Sequence, residues 1–82
     1  MSKEKKRNLK HINLYKNLGK NIRKYRKNKG LSQEELAFCI LSTRNYIGCV
    51  ERAEKCPSLG FLFDVAEALN VEIQDLFELE KL

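Results

Sequence analysis

Residues 31–52 read LSQEELAFCILSTRNYIGCVER, and the local chemistry of this stretch decides the fold. Ser32-Gln33-Glu34-Glu35 is a capping box: the Ser32 hydroxyl can accept from the Glu35 amide, and the Glu35 carboxylate can reach back to the Ser32 amide. Leu31 ahead of the cap and Leu36 at the fourth helical position make the matching hydrophobic staple. A helix therefore starts at Gln33 and turns Leu36, Ala37 and Ile40 inward. The chain breaks at Leu41-Ser42. Thr43 then stands where an N-cap is needed for a further helix from Arg44 to about Arg52, with Ile47 and Val50 as its inward pair. Small Ala37 sits where the two helices have to cross.

Working outward, a helical pattern begins at Asn13, where Tyr15, Leu18, Ile22 and Tyr25 recur at intervals of three or four with lysines on the other faces. Gly30 ends that helix in the place of a left-handed C-cap. Beyond the central stretch, Pro57 and Ser58 reset the chain. Leu59, Leu62, Phe63, Ala66 and Leu69 then form the apolar stripe of a fourth helix, closed by Asn70, which tolerates the left-handed region. Ile73, Leu76 and Phe77 mark a fifth. No strand-like alternation and no internal repeat occurs. The expected architecture is all-α: a compact five-helix domain over residues 12–82, preceded by a basic flexible arm, MSKEKKRNLKH, over residues 1–11.

With 82 residues there is room for one domain, and its core must be efficient or shared with a second subunit. No run approaches the roughly 20 apolar residues of a membrane span, and no apolar core follows the basic N-terminus as in a signal peptide. The expectation is a soluble, cytoplasmic protein with no membrane partner. Cys39, Cys49 and Cys56 are an odd set without close pairing, and His11 is far from all of them. Reduced thiols are expected, with no disulfide framework, no metal site and no cofactor.

The formal charge of +5 hides a strong asymmetry. Residues 1–29 hold twelve Lys or Arg against Glu4 alone, a surplus of +11, whereas residues 30–82 hold four basic and ten acidic residues, a deficit of −6. A basic segment on an acidic body suits an anionic polymer such as nucleic acid. Two roles stay open for the arm: following a DNA groove or its phosphates, or simply keeping the chain soluble.

The paired helices at 33–52 fit a helix-turn-helix. The outward face of the second helix is Thr43, Arg44, Asn45, Gly48, Cys49 and Arg52, with no large apolar side chain to bury. Arg can bond guanine bidentately and Asn can do the same with adenine. A helix N-terminus also favours phosphate.

From LGKNIRKYRKNKG through LSQEELAFCILSTRNYIGCVERAEKCPSLGFLFDVAEALNVEIQDLF, residues 18–77, the chain resembles the phage-repressor-like, or Cro/CI-type, helix-turn-helix family. The resemblance implies a recognition helix in the major groove, and it points to small stand-alone members such as restriction–modification controller proteins. It implies base or backbone contacts for Thr43, Arg44, Asn45 and Cys49, and phosphate contacts for Gln33, Tyr46 and Arg52. It also implies an internal salt bridge between Arg26 and Glu51, which makes Arg26 structural. The family usually has glycine and then an apolar residue in the turn. Leu41 and Ser42 stand there instead, and a left-handed leucine costs roughly 1 kcal/mol or more. Whether the turn is reshaped or shifted by a residue is left open.

Tyr25, Phe38, Phe61, Phe63 and Phe77 lie at helical spacing and are read as core or dimer packing rather than a base-stacking platform. A second stripe on the fourth helix, Phe61, Val65 and Ala68, together with Leu79 and Leu82, exceeds what a lone domain needs. It is read as a dimer interface at Phe61, Val65, Leu79 and Leu82. Cys49 reads as an inert small residue rather than a redox switch. No nucleophile pair, phosphate-cradling glycine loop or metal cluster suggests an enzyme. The leading expectation is a homodimeric, sequence-specific regulator on double-stranded DNA. Behind it stand an antitoxin that neutralises a protein partner and an interaction module that no longer binds DNA. RNA polymerase or a toxin is the further partner these readings allow.

Overall fold

Three of the helices start from a hydroxyl that the sequence places at their mouths, Ser32, Thr43 and Ser58. The computed structural model describes the backbone of residues 3–79 and the side chains of residues 11–79. Five helices are seen among them: α1 (Lys3–Asn28), α2 (Gln33–Cys39), α3 (Arg44–Glu51), α4 (Leu59–Leu69) and α5 (Ile73–Leu76). Ser32 caps α2 with both bonds of the box formed, Glu35 N–H to Ser32 Oγ at 3.0 Å and Ser32 N–H to Glu35 Oε1 at 2.8 Å. The Ser32 bonds hold the Glu35 carboxyl below the usual carboxylate range. Thr43 and Ser58 accept from Tyr46 N–H and Phe61 N–H at 3.1 Å each and start α3 and α4.

The helix ends share one device. After α1, α2, α3 and α4 a residue takes the left-handed conformation: Gly30 (φ 76), Leu41 (φ 56), Ala53 (φ 62) and Asn70 (φ 56). At each end the following N–H closes on a carbonyl five residues back, as in Leu31→Arg26 (3.1 Å), Ser42→Ala37 (2.8 Å), Glu54→Cys49 (2.8 Å) and Val71→Ala66 (3.0 Å). This is the Schellman motif. The central turn is therefore not reshaped. Leu41 accepts the strain, and its side chain is 96% exposed.

The core is one cluster. Ile22 of α1, Leu36 of α2, Ile47 and Val50 of α3, Val65 of α4 and Leu76 of α5 are fully buried. Helix α1 lies across α3, α4 and α5, while α2 packs on α3 and α4. Two asparagines one turn apart on α1 tie down the chain's end. Asn21 Nδ2 donates to the carbonyls of Leu76 (2.9 Å) and Glu78 (2.8 Å), and Asn17 Nδ2 donates to that of Glu78 (2.9 Å).

Several sequence expectations change. Helix α1 begins at Lys3 rather than Asn13, so residues 3–11 of the expected arm continue the helix. Those residues are mostly good helix formers without Gly or Pro, and a helix already nucleated on the core extends through them. Missing apolar periodicity is therefore not missing helix. Helix α4 is rotated from the expected stripe. Leu62, Val65, Ala66 and Leu69 face inward, whereas Leu59 and Phe63 are exposed. An eleven-residue helix, LGFLFDVAEAL, carries two overlapping i, i+3, i+4 patterns, and only the tertiary contacts choose between them. Val65 is thus core and has no surface for a partner. Phe38, read as packing, is 84% exposed.

Relief of the turn is measurable. Leu41→Gly should raise stability by about 1 kcal/mol, read as a melting temperature about 5 °C higher. Gly19 should behave oppositely. A Cβ there would collide with the backbone carbonyls of Val50 and Glu51, where α1 crosses the end of α3. Gly19→Ala should therefore cost about 1–2 kcal/mol in a urea titration, although Ala is the better helix former.

Candidate nucleic-acid interface

A buried ionic node holds the two paired helices against α1. Arg26 and Glu51 are 6% and 9% exposed. Arg26 Nε donates to Glu51 Oε2 at 2.7 Å and Nη2 to Oε1 at 3.0 Å, a two-bond fork between the planar groups. Arg26 Nη1 donates to the Leu31 carbonyl at 2.8 Å, in the turn between α1 and α2. Gln33 Nε2 then reaches Glu51 Oε1 at 3.1 Å from the first turn of α2. Four bonds therefore fix the start of α2 relative to the end of α3.

On the outer side of that node Gln33, Arg44, Asn45, Gly48 and Arg52 line one shallow depression of about 250 Å³. Arg44, Asn45 and Arg52 are exposed, and Gln33 is half-buried. A cluster of N–H donors with an amide oxygen between them can meet both base edges and phosphate oxygens. Thr43 stands at the mouth of α3. Its oxygen accepts from the Tyr46 amide, which leaves the hydroxyl hydrogen and one lone pair for an outward contact.

Two of the expected contact residues do not line the depression. Tyr46 is half-buried, its ring edge-on to Phe61 at 5.1 Å between centroids and 83° between planes. This pair packs α3 against α4. Cys49 is half-buried beside Arg52, its Sγ 3.9 Å from Nη2, and it does not line the depression. All three cysteines are free thiols. Leu79 is 63% exposed at an apolar cleft of about 450 Å³ that Leu14, Leu59 and Phe77 also line. Leu82 lies outside the described residues.

The sequence reading missed Glu54. It grips Arg52 by two bonds, Nε to Oε2 at 2.9 Å and Nη2 to Oε1 at 3.2 Å. Residues two apart on a helix face different ways. Here Ala53 between them is left-handed, so the chain reverses and brings them together. The Arg52 bonds also hold the Glu54 carboxyl below its usual range.

Known proteins are similar to this chain in sequence and in fold. The model of the helix-turn-helix family matches residues 22–76, more than half of the chain. The chain belongs to the helix-turn-helix family. Members of this family are DNA-binding regulators of transcription, and this chain has their all-helical fold. Among its relatives is the control protein C.SmaI of Serratia marcescens, 44% identical over 59 residues, 72% of this chain and 70% of that protein. The uncharacterised helix-turn-helix transcriptional regulator YazB of Bacillus subtilis is 35% identical over 63 residues, 77% of this chain and 91% of that one. The crystal structure of the restriction-modification controller protein C.AhdI from Aeromonas hydrophila superposes with a TM-score of 0.78 at 40% identity, covering 82% of this chain and 97% of its own.

Cutting the node tests how far the helix-turn-helix depends on it. Glu51→Ala leaves a buried guanidinium without its counter-charge and should cost about 3–5 kcal/mol in a urea titration. Replacing both partners with apolar residues of similar volume, Arg26→Met with Glu51→Leu, should recover most of that loss.

Proposed function

We propose that this chain is a cytoplasmic, sequence-specific regulator of transcription that binds double-stranded DNA as a homodimer on a two-fold symmetric operator. The observation that carries this reading is the convergence of Gln33, Arg44, Asn45 and Arg52 on one exposed polar depression, against a core that fixes their spacing. In this reading Arg44 and Asn45 meet base edges, with Thr43 and Cys49 at the margin. Gln33, Arg52 and Tyr46 hold the phosphate backbone. The names of C.SmaI and C.AhdI support control of a restriction–modification system as the setting.

In this reading the dimer surface is the apolar cleft, which includes Leu79 of the expected set. Leu14, Leu59, Phe77 and Leu79 are 55%, 66%, 46% and 63% exposed there. Apolar side chains exposed together favour self-association, and a two-fold axis would present two copies of α3 to one face of the duplex. A second reading, in which the chain also grips a protein such as a toxin or RNA polymerase, is favoured by a different observation. Phe38 and Leu41 are exposed at the end of α2, and Leu41 shares a depression with Asp64 and Glu67. An apolar surface with an acidic rim fits a basic partner.

Selection from a random duplex library at moderate salt tests the first reading. The bound pool should show two symmetric half-sites about 34 Å apart, with affinity falling steeply as salt rises. Arg44→Ala should erase preference at one position of each half-site, whereas Gln33→Ala should weaken all sequences nearly alike. No enrichment at any salt concentration would sink the regulator reading and turn attention to the protein partner.

A further inference from the structure

Arg52 is the one arginine at the depression whose charge is already engaged within the chain. Glu54 takes two of its five N–H groups, one on Nε and one on Nη2, along one edge of the guanidinium. The opposite edge presents one N–H of Nη1 and the second of Nη2 in parallel, and there Nη2 makes only a long contact to Cys49 Sγ at 3.9 Å. That edge can bond two acceptors at once, as the Nε edge does with Glu54. The group also stands against Gly48 of α3. A Cβ added at Gly48 would stand 2.9 Å from Nη1 and 3.6 Å from Cζ, so the guanidinium occupies the space a side chain would fill. Gly48 and Arg52 both line the depression with Gln33, Arg44 and Asn45.

We propose that Glu54 is a positioning residue that clamps Arg52 across Gly48 for a two-bond contact to the DNA, so that an acidic residue at the interface raises specificity. This rests on the DNA-binding reading above and deepens it. The acceptors that match are a guanine O6/N7 edge or a pair of oxygens on one phosphate. A free arginine gives up side-chain entropy when it makes such a contact; a clamped one has already lost it. The ion pair is exposed on both sides, 55% and 54%, so it contributes little to folding. Its geometry is what matters. Ala53, left-handed at φ 62, is the hinge that brings Glu54 round to Arg52.

Charge and position predict opposite signs. By charge alone, removing an acid from a DNA-binding face strengthens binding to every sequence. By position, Glu54→Ala should lower the ratio of operator to random-duplex affinity about tenfold while random-duplex affinity rises slightly. Glu54→Gln makes the same charge change but keeps an oxygen acceptor, and it should lose clearly less of the ratio. Gly48→Ala should displace the guanidinium and reproduce the Glu54→Ala loss. In an Arg52→Ala background neither change should have a further effect. Thermal melts of the Glu54 variants should match the parent, which separates positioning from folding.

The measurement is fluorescence anisotropy on the operator recovered by selection and on a random duplex of equal length. Two modified operators then identify the acceptor. If 7-deazaguanine abolishes the Glu54-dependent part, the contact is to a guanine edge; if a single methylphosphonate abolishes it, the contact is to a phosphate. Either result supports the clamp. An unchanged ratio for Glu54→Ala on an operator the parent selects overturns it and leaves the regulator reading standing. Failure of the parent to select any operator overturns both.

Discussion

The Arg26–Glu51–Gln33 node is the constraint on which the rest of the structure depends. A helix-turn-helix is useful only if the outer face of α3 sits at a fixed height and angle to the start of α2. Apolar packing alone leaves such short helices free to slide, because dispersion contacts are numerous and individually weak. The node removes that freedom. Arg26 holds the Leu31 carbonyl at the turn between α1 and α2, while Glu51 holds both the arginine and the Gln33 amide. A buried ion pair is not a cheap source of stability. Its value here is registry: the hydrogen-bond geometry admits one arrangement of three helix ends. Gln33 links this node to the depression, so the group proposed to hold the backbone is itself held by the charge pair.

The helix ends show the same preference for defined geometry over low energy. Four successive helices close by one Schellman pattern, though only Gly30 and Asn70 suit its left-handed position. Leu41 and Ala53 do not, and each occupies the joint next to an end of α3. The strain at Leu41 preserves the angle between α2 and α3. The strain at Ala53 brings Glu54 back over Arg52. Both substitutions of a better residue would relax the backbone, and both joints border the surface through which the chain is proposed to act. That is where stored strain is characteristically found.

How much of this was legible in the sequence follows from how local the governing chemistry is. The caps at Ser32, Thr43 and Asn70 and the inward sets of α2 and α3 were readable because each depends on side chains within four residues of one another. Arg44, Asn45, Gly48 and Arg52 were readable as one face because a single helix presents them, whereas Gln33 came only with the family resemblance. The rotation of α4 was not readable, since apolar residues surround that helix and Val65 and Phe63 compete for the same inward place. The extension of α1 was missed because apolar periodicity was the signal read, and a polar helical segment carries none. Asn17 and Asn21 stood among lysines, and nothing local foretold carbonyl partners more than fifty residues away. The Arg52–Glu54 pair was hidden by the assumption that residues two apart diverge, which fails at a left-handed joint.

The charge asymmetry divides labour between long and short range. Residues 1–29 carry +11 and the remainder −6, so the molecule is strongly polar as well as basic. Such a distribution draws a polyanion toward the α1 side and repels it from the acidic surface around Asp64 and Glu67, which orients the encounter. At physiological salt that field fades over about 8 Å, so it can bring the protein to DNA without choosing a sequence. Choice must come from groups at contact distance. At the depression the chain does not add more positive charge; it sets Glu54 against Arg52 and gives up net attraction. A surface selected for affinity alone would not do so, and one selected for discrimination would, since discrimination grows as the part common to all sequences shrinks.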